Sequence, residues 1–119
     1  MLRIHIENLG NIAMVECEGR LVQSEAAFRL RDAVTSQREA RIVVLDLSAV
    51  SAIEGGGLGM LWHLQRWAQE NDIRLTLFNP ASRVRDRLCH VNSMLQFDIA
   101  TPAEMTALVA ANRQPSVAA

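Results

Sequence analysis

The stretch IVVLDLSAVSAIEGGGLGML, residues 42–61, decides how this chain is read. It opens on four branched apolar residues, Ile42-Val43-Val44-Leu45, with no polar alternation. A strand that is apolar on every side chain is buried on both faces, which is the habit of a parallel sheet. Asp46-Leu47-Ser48 reads as the end of that strand, and Ser51 to Gly57 as a loop. Leu58 to Glu70 is expected to be helical, with Leu58, Leu61, Leu64 and Ala68 on one face. A buried strand, a glycine-rich turn and an amphipathic helix form the repeating unit of an α/β domain.

Working outward, Leu2, Ile4 and Ile6 alternate with Arg3, His5 and Glu7, the period of a half-buried strand. Gly10-Asn11 predicts a tight turn and Ile12 to Glu18 the returning strand, so the chain opens on a hairpin. Ser24 is placed to cap a first helix, with Glu25 suiting the dipole. Ala27, Leu30 and Val34 form its inward stripe, and it is expected to end near Ser36. Beyond the central stretch, Ile73, Leu75 and Leu77 predict another strand. Asn79-Pro80 then starts a helix with Val84, Leu88 and Val91 inward. Phe97-Asp98-Ile99 reads as a short edge strand. Thr101-Pro102-Ala103-Glu104 is a capping box that opens a last helix running to about Ala111. The order is ββαβαβαβα: an α/β fold with a mixed sheet of four to five strands, opened by an N-terminal hairpin, and about four helices. Residues 1–111 are expected to form a single domain and 112–119 a flexible C-terminal tail.

Composition excludes several functions. The 119 residues carry 12 basic and 13 acidic side chains, a net charge of −1, which gives no basic face for nucleic acid. Every basic residue is arginine, so chemistry that needs an amine (a phosphate-loop lysine, a Schiff base) has no residue to use. Tyrosine is absent as well. Cys17 and Cys89 are too few for a disulfide framework and are expected to be buried reduced thiols, which places the protein in the cytoplasm. No signal peptide or membrane insertion is expected.

A search for chemistry returns little. The glycines at 55, 56, 57 and 59 fit no phosphate-binding fingerprint: Met60 and Trp62 stand where GxGxxG needs glycine. His5, His63 and His90 are scattered, no serine lies in a GxSxG elbow, and no ligand spacing suggests a metal or another cofactor. Cys89 and His90 are neighbours on a helix and so point apart. Arg83 and Arg87 share a helix face, open to solvent or to an acidic partner. Met60, His63 and Trp67 lie along one line of the second predicted helix. Together with Trp62 they belong either to a wide core face or to a partner surface that would also support a homodimer. With no reactive constellation, a non-enzymatic binding module is expected.

Residues 42–61 resemble the centre of the STAS domain, the fold of bacterial anti-sigma factor antagonists. The family pattern is a hydrophobic strand ending in D-L-S-x-V, an isoleucine, then D-S-S-G-L-G at a helix start. Asp46-Leu47-Ser48, Val50, Ile53 and Gly57-Leu58-Gly59 match it. Gly19-Arg20-Leu21, Leu75 to Asn79, Val84 to Leu88 and Phe97 to Ile99 extend the resemblance over about residues 2–110. It implies a protein partner, an anti-sigma factor that is also a serine kinase of the GHKL ATPase type. It also implies partner switching, in which phosphate on the second serine of D-S-S-G breaks the complex. The implied contact residues are Ile53, Glu54, Gly55, Gly56, Gly57, Leu58 and Gly59. This chain departs at the decisive position: Glu54 replaces the aspartate, and Gly55 and Gly56 replace the serines. Gly56 has no hydroxyl to accept phosphate. Ser48 and Ser51 are nearby and read as turn residues. Two other roles fit the resemblance: a STAS subunit of a bacterial lipid-transport ABC complex, and a small-ligand sensor with a pocket near the glycines.

Overall fold

The computed structural model describes residues 2–21, 25–95 and 97–112, with the backbone alone for 91–95 and 112. The elements are β1 (Leu2–Leu9), β2 (Ile12–Leu21), α1 (Glu25–Thr35), β3 (Ile42–Ile53), α2 (Gly56–Glu70), β4 (Arg74–Phe78), α3 (Ser82–Leu95), β5 (Ile99–Ala100) and α4 (Pro102–Asn112). The five strands stand side by side in chain order. β1 and β2 are antiparallel, and the pairs β2–β3, β3–β4 and β4–β5 are parallel. The α/β reading and its ββαβαβαβα order hold. Gly10, at φ 64, occupies the first central position of the two-residue hairpin loop between Leu9 and Ile12, as a type II′ turn requires.

Two cores lie on the two faces of the sheet. The larger joins Ala13, Val15, Val43, Leu45 and Leu47 to Leu30 and Val34 of α1, Leu61 and Leu64 of α2, and Val84 and Leu88 of α3. The smaller joins Ile12, Ile42, Val44 and Ala100 to Met105 of α4, with Met14, Leu108 and Val109 beside them. This division is why 42–45 is apolar without a break: Val43 and Leu45 face three helices while Ile42 and Val44 face the fourth. Where α4 ends, the strands revert to alternation. Glu16 and Glu18 of β2 are exposed, alternating with buried Val15 and Cys17.

Several boundaries differ from the sequence reading. β3 does not stop at Asp46-Leu47-Ser48 but runs on to Ile53. Its register against β2 slips twice, Glu16↔Asp46 being followed by Glu18↔Ala49, and Gly19↔Val50 by Arg20↔Ala52. Each slip inserts one extra residue in β3, a β-bulge. The first is closed by Asp46, whose Oδ1 accepts from the Ser48 N–H at 2.9 Å and the Ser48 Oγ at 2.7 Å. The bulges shift the inward phase from Leu47 to Val50 and then Ile53. α3 starts at Ser82 rather than at Pro80, because Asn79 takes a left-handed φ of 52 and turns the chain first. The Arg85 N–H reaches the Ala81 carbonyl at 2.7 Å, so Ala81 stands at the cap. β5 is Ile99–Ala100, with Phe97 before it buried in the larger core. Cys89, expected inside, is exposed; Cys17 is buried. Ser24 and residues 113–119 lie outside the described residues, as does the Val91 side chain, and Asn112 closes α4 instead of opening a tail. No described helix is long and apolar enough to cross a membrane.

Candidate functional site

The site is built where β3 hands the chain to α2. Ile53 is buried at the strand end and fixes the loop to the larger core. Glu54 is exposed; its N–H donates to the Leu21 carbonyl at 3.3 Å, and its own carbonyl accepts from the Gly57 N–H at 2.8 Å. Gly55 stands at the cap of α2 with φ 46, in the left-handed region that suits glycine, and no side chain caps the helix. Gly56 is exposed and is the first residue of α2, two residues earlier than expected. Gly57 is buried against β2: a Cβ there would stand 2.1 Å from the Leu21 carbonyl oxygen. The helix therefore packs directly on the backbone of β2, which only glycine permits. Leu58 is half-buried on the larger core rather than fully inside. Gly59 is exposed, with nothing within 4 Å of its missing side chain.

These seven residues lie together, as their spacing requires, and they leave the first turn of α2 almost without side chains. A bare helix start has N–H groups and a positive dipole end facing outward. Arg83 and Arg87 of α3 add positive charge: with Ala52, Ile53 and Glu54 they line a shallow hollow of about 140 Å³. The sequence reading treats the arginines and the glycine loop separately; the parallel pairing of β3 with β4 puts the starts of α2 and α3 at one edge of the sheet and brings them side by side. The hollow is small beside the 300 Å³ or more of an ordinary ligand pocket, which counts against a small-molecule site at the glycines.

The outer face of α2 continues the site. His63 is exposed, while Met60 and Trp67 are half-buried against the larger core, so only part of the expected line is open. Trp62 is the large residue that faces out, at 41% exposure, with the Arg66 guanidinium 5.2 Å from its ring centre. Gly56, Gly59, His63 and Arg66 recur at three- and four-residue spacing, with Trp62 beside His63, so one exposed strip runs from the bare helix start to an indole. The nearby serines are held elsewhere: Ser48 Oγ donates to Asp46, and Ser51 Oγ donates to the Gly19 carbonyl at 3.3 Å.

The STAS domain family matches residues 3–101, nearly the whole described chain. The chain belongs to the STAS domain family. Compared with curated proteins by sequence, this STAS domain finds no match. Among solved structures it is similar to the anti-sigma factor antagonist SpoIIAA in its unphosphorylated form, at TM-score 0.73 and 17% identity over 92% of this chain and 97% of that one. An anti-sigma factor antagonist from Mycobacterium paratuberculosis gives TM-score 0.75 and 18% identity over 92% and 93%. The murine Slc26a9 anion transporter gives TM-score 0.72 and 17% identity over 89% of this chain but 19% of its own. At these identities the likeness is one of fold.

Proposed function

We propose that this STAS domain is a non-catalytic protein-binding module of the anti-sigma factor antagonist type, which docks a partner at the head of α2 and lacks the phosphate switch. The observation that carries the reading is Gly56: exposed, first in α2, and without a hydroxyl. The bare helix turn, Arg83 and Arg87 suit an acidic surface on the partner, and the Trp62–Arg66 strip suits an apolar one. A kinase-type anti-sigma factor fits this surface. With no acceptor at position 56, the complex would form constitutively and not cycle. The work is expected to be cytoplasmic, within one domain over 1–111.

The missing hydroxyl also favours a second reading, a STAS subunit of a lipid-transport ABC complex, which needs no phosphate switch. Tagged wild type and Gly56→Asp, isolated from the native host and analysed by mass spectrometry, separate the two. Recovery of a GHKL-type kinase with wild type, and its loss with Gly56→Asp, supports the first. Recovery of transporter subunits supports the second. With the kinase in hand, Gly56→Ser is expected to take up phosphate from ATP where wild type does not, read as a band shift on a phosphate-retarding gel. An equal shift in wild type would place the acceptor elsewhere and end the reading of an unswitched module.

A further inference from the structure

We infer that the outer face of the β1–β2 hairpin holds a site for a divalent transition-metal ion of the zinc class, ligated by His5, Glu7 and Glu16. One ligand atom from each of the three lies within 4.8 Å of the other two, and all three side chains are exposed. The register produces the cluster. His5 is the cross-strand partner of Glu16, and Glu7 follows His5 by two residues, on the same face of the sheet. No spacing along the chain reveals this, because the ligands meet only once the hairpin pairs; the histidine that looks solitary in the sequence gains two carboxylates in the fold.

The surroundings favour a cation. Among the described residues, α4 packs on the sheet at the Ile12, Met14, Ile42 and Val44 end, and His5, Glu7 and Glu16 are exposed beyond it. There β1, β2 and β3 line a hollow of about 430 Å³ that His5 and Glu16 border. Asp46 pairs with Glu16 from the other side, and Glu18 lines the same hollow. Glu7, Glu16, Glu18 and Asp46 thus share this face with two arginines, Arg3, which stands opposite Glu18, and Arg20. The ion pairs found among the described residues, Arg31–Asp32 and Arg74–Asp98, lie elsewhere. Carboxylates directly opposite each other across strands repel. Among the described residues the one such pair here is Glu16 and Asp46, and a dication on Glu16 offsets their repulsion while joining β1 to β2.

The donor set selects the ion. One imidazole nitrogen and two carboxylate oxygens form a borderline set that zinc-class ions accept, whereas magnesium and calcium favour oxygen alone. Ligand atoms about 2.1 Å from a tetrahedral ion stand about 3.4 Å apart. The two glutamates are exposed, so their side chains have the rotamer freedom that the remaining contraction asks for, and water would take the fourth position. The site lies on the opposite face of the sheet from α2, so it is independent of the partner surface.

The test is calorimetric titration of the full chain with zinc chloride, in a Cys89→Ser background that removes the exposed thiol. One ion per chain is expected. His5→Gln and Glu16→Gln, both at exposed positions, are each expected to weaken binding at least tenfold, while His63→Gln and His90→Gln leave it unchanged. Cobalt substitution, read by its visible absorption, supplies a second measure of a mixed nitrogen–oxygen site. Absence of binding, binding indifferent to His5→Gln, or equal affinity for magnesium would each overturn the assignment.

Discussion

At Gly57 one methyl group decides whether α2 can reach the sheet. The Leu21 carbonyl oxygen would stand 2.1 Å from a Cβ at this position, and the obstruction is backbone, which cannot swing aside. Gly57→Ala is therefore expected to cost about 3 kcal/mol or more, the upper part of the range for overpacking. Gly55 presents a different constraint. Nothing crowds it, but its φ of 46 disfavours a side chain, so Gly55→Ala should cost about 1–2 kcal/mol. Gly59 has neither problem, and Gly59→Ala should stabilise by about 0.5–1 kcal/mol through the better helix propensity of alanine. Urea denaturation of the three variants reads all of these. Three equal effects would contradict the distinct roles. The contrast also separates what each glycine does: Gly57 holds the helix against β2, Gly55 turns the chain, and Gly59 leaves the outer face of α2 bare.

Among the elements, α4 shows the strongest local signal. The Glu104 N–H donates to Thr101 Oγ1 at 3.1 Å, and the Thr101 N–H donates to Glu104 Oε1 at 2.8 Å. Both ends of the box read from four residues in a row are closed. Thr101→Ala should cost about 1 kcal/mol, measured as a lower denaturation midpoint with an unchanged slope. A loss of all structure would mean that α4 does more than cover the smaller core. Such signals are legible because they are local: apolar spacing, this capping box and the tight turn at Gly10-Asn11 depend on neighbours a few residues away. The course of β3 past Asp46 was not legible. Asp-Leu-Ser looks like a stop, yet the Asp46 carboxylate satisfies Ser48 within a bulge that exists only because β2 lies alongside. The start of α3 was missed because proline suits a first helical position on its own, and nothing in Asn79-Pro80 announces the left-handed turn before it. The candidate site divides in the same way. The seven loop residues follow from their order, while the approach of Arg83 and Arg87, and the meeting of His5 with Glu16, depend on the pairing of strands.

The whole molecule is linked to pH through one buried thiol. Cys17 is 2% exposed. Burial, and secondarily the charge of Asp46, push it from an ordinary 9.0 up to about 12. The folded state thus holds this proton more tightly than the unfolded chain does. The resulting stability is complete below about pH 9 and declines as pH rises toward 12, by at most about 1.4 kcal/mol per pH unit. The background in this window is unusually clear, because the chain has neither lysine nor tyrosine to titrate there, and arginine stays charged. Unfolding free energy is therefore expected to fall by about 2 kcal/mol between about pH 8 and pH 10.5. Cys17→Ala begins from a lower stability, since it leaves space in the core, but should lose this dependence. Cys89→Ser, altering an exposed position, should keep it. Asp46→Asn should make the dependence shallower by removing the secondary cause, at the cost of a weaker bulge. A slope that survives Cys17→Ala would show that the alkaline loss arises from repulsion across the whole surface instead, and would separate the stability of the larger core from the state of its one thiol.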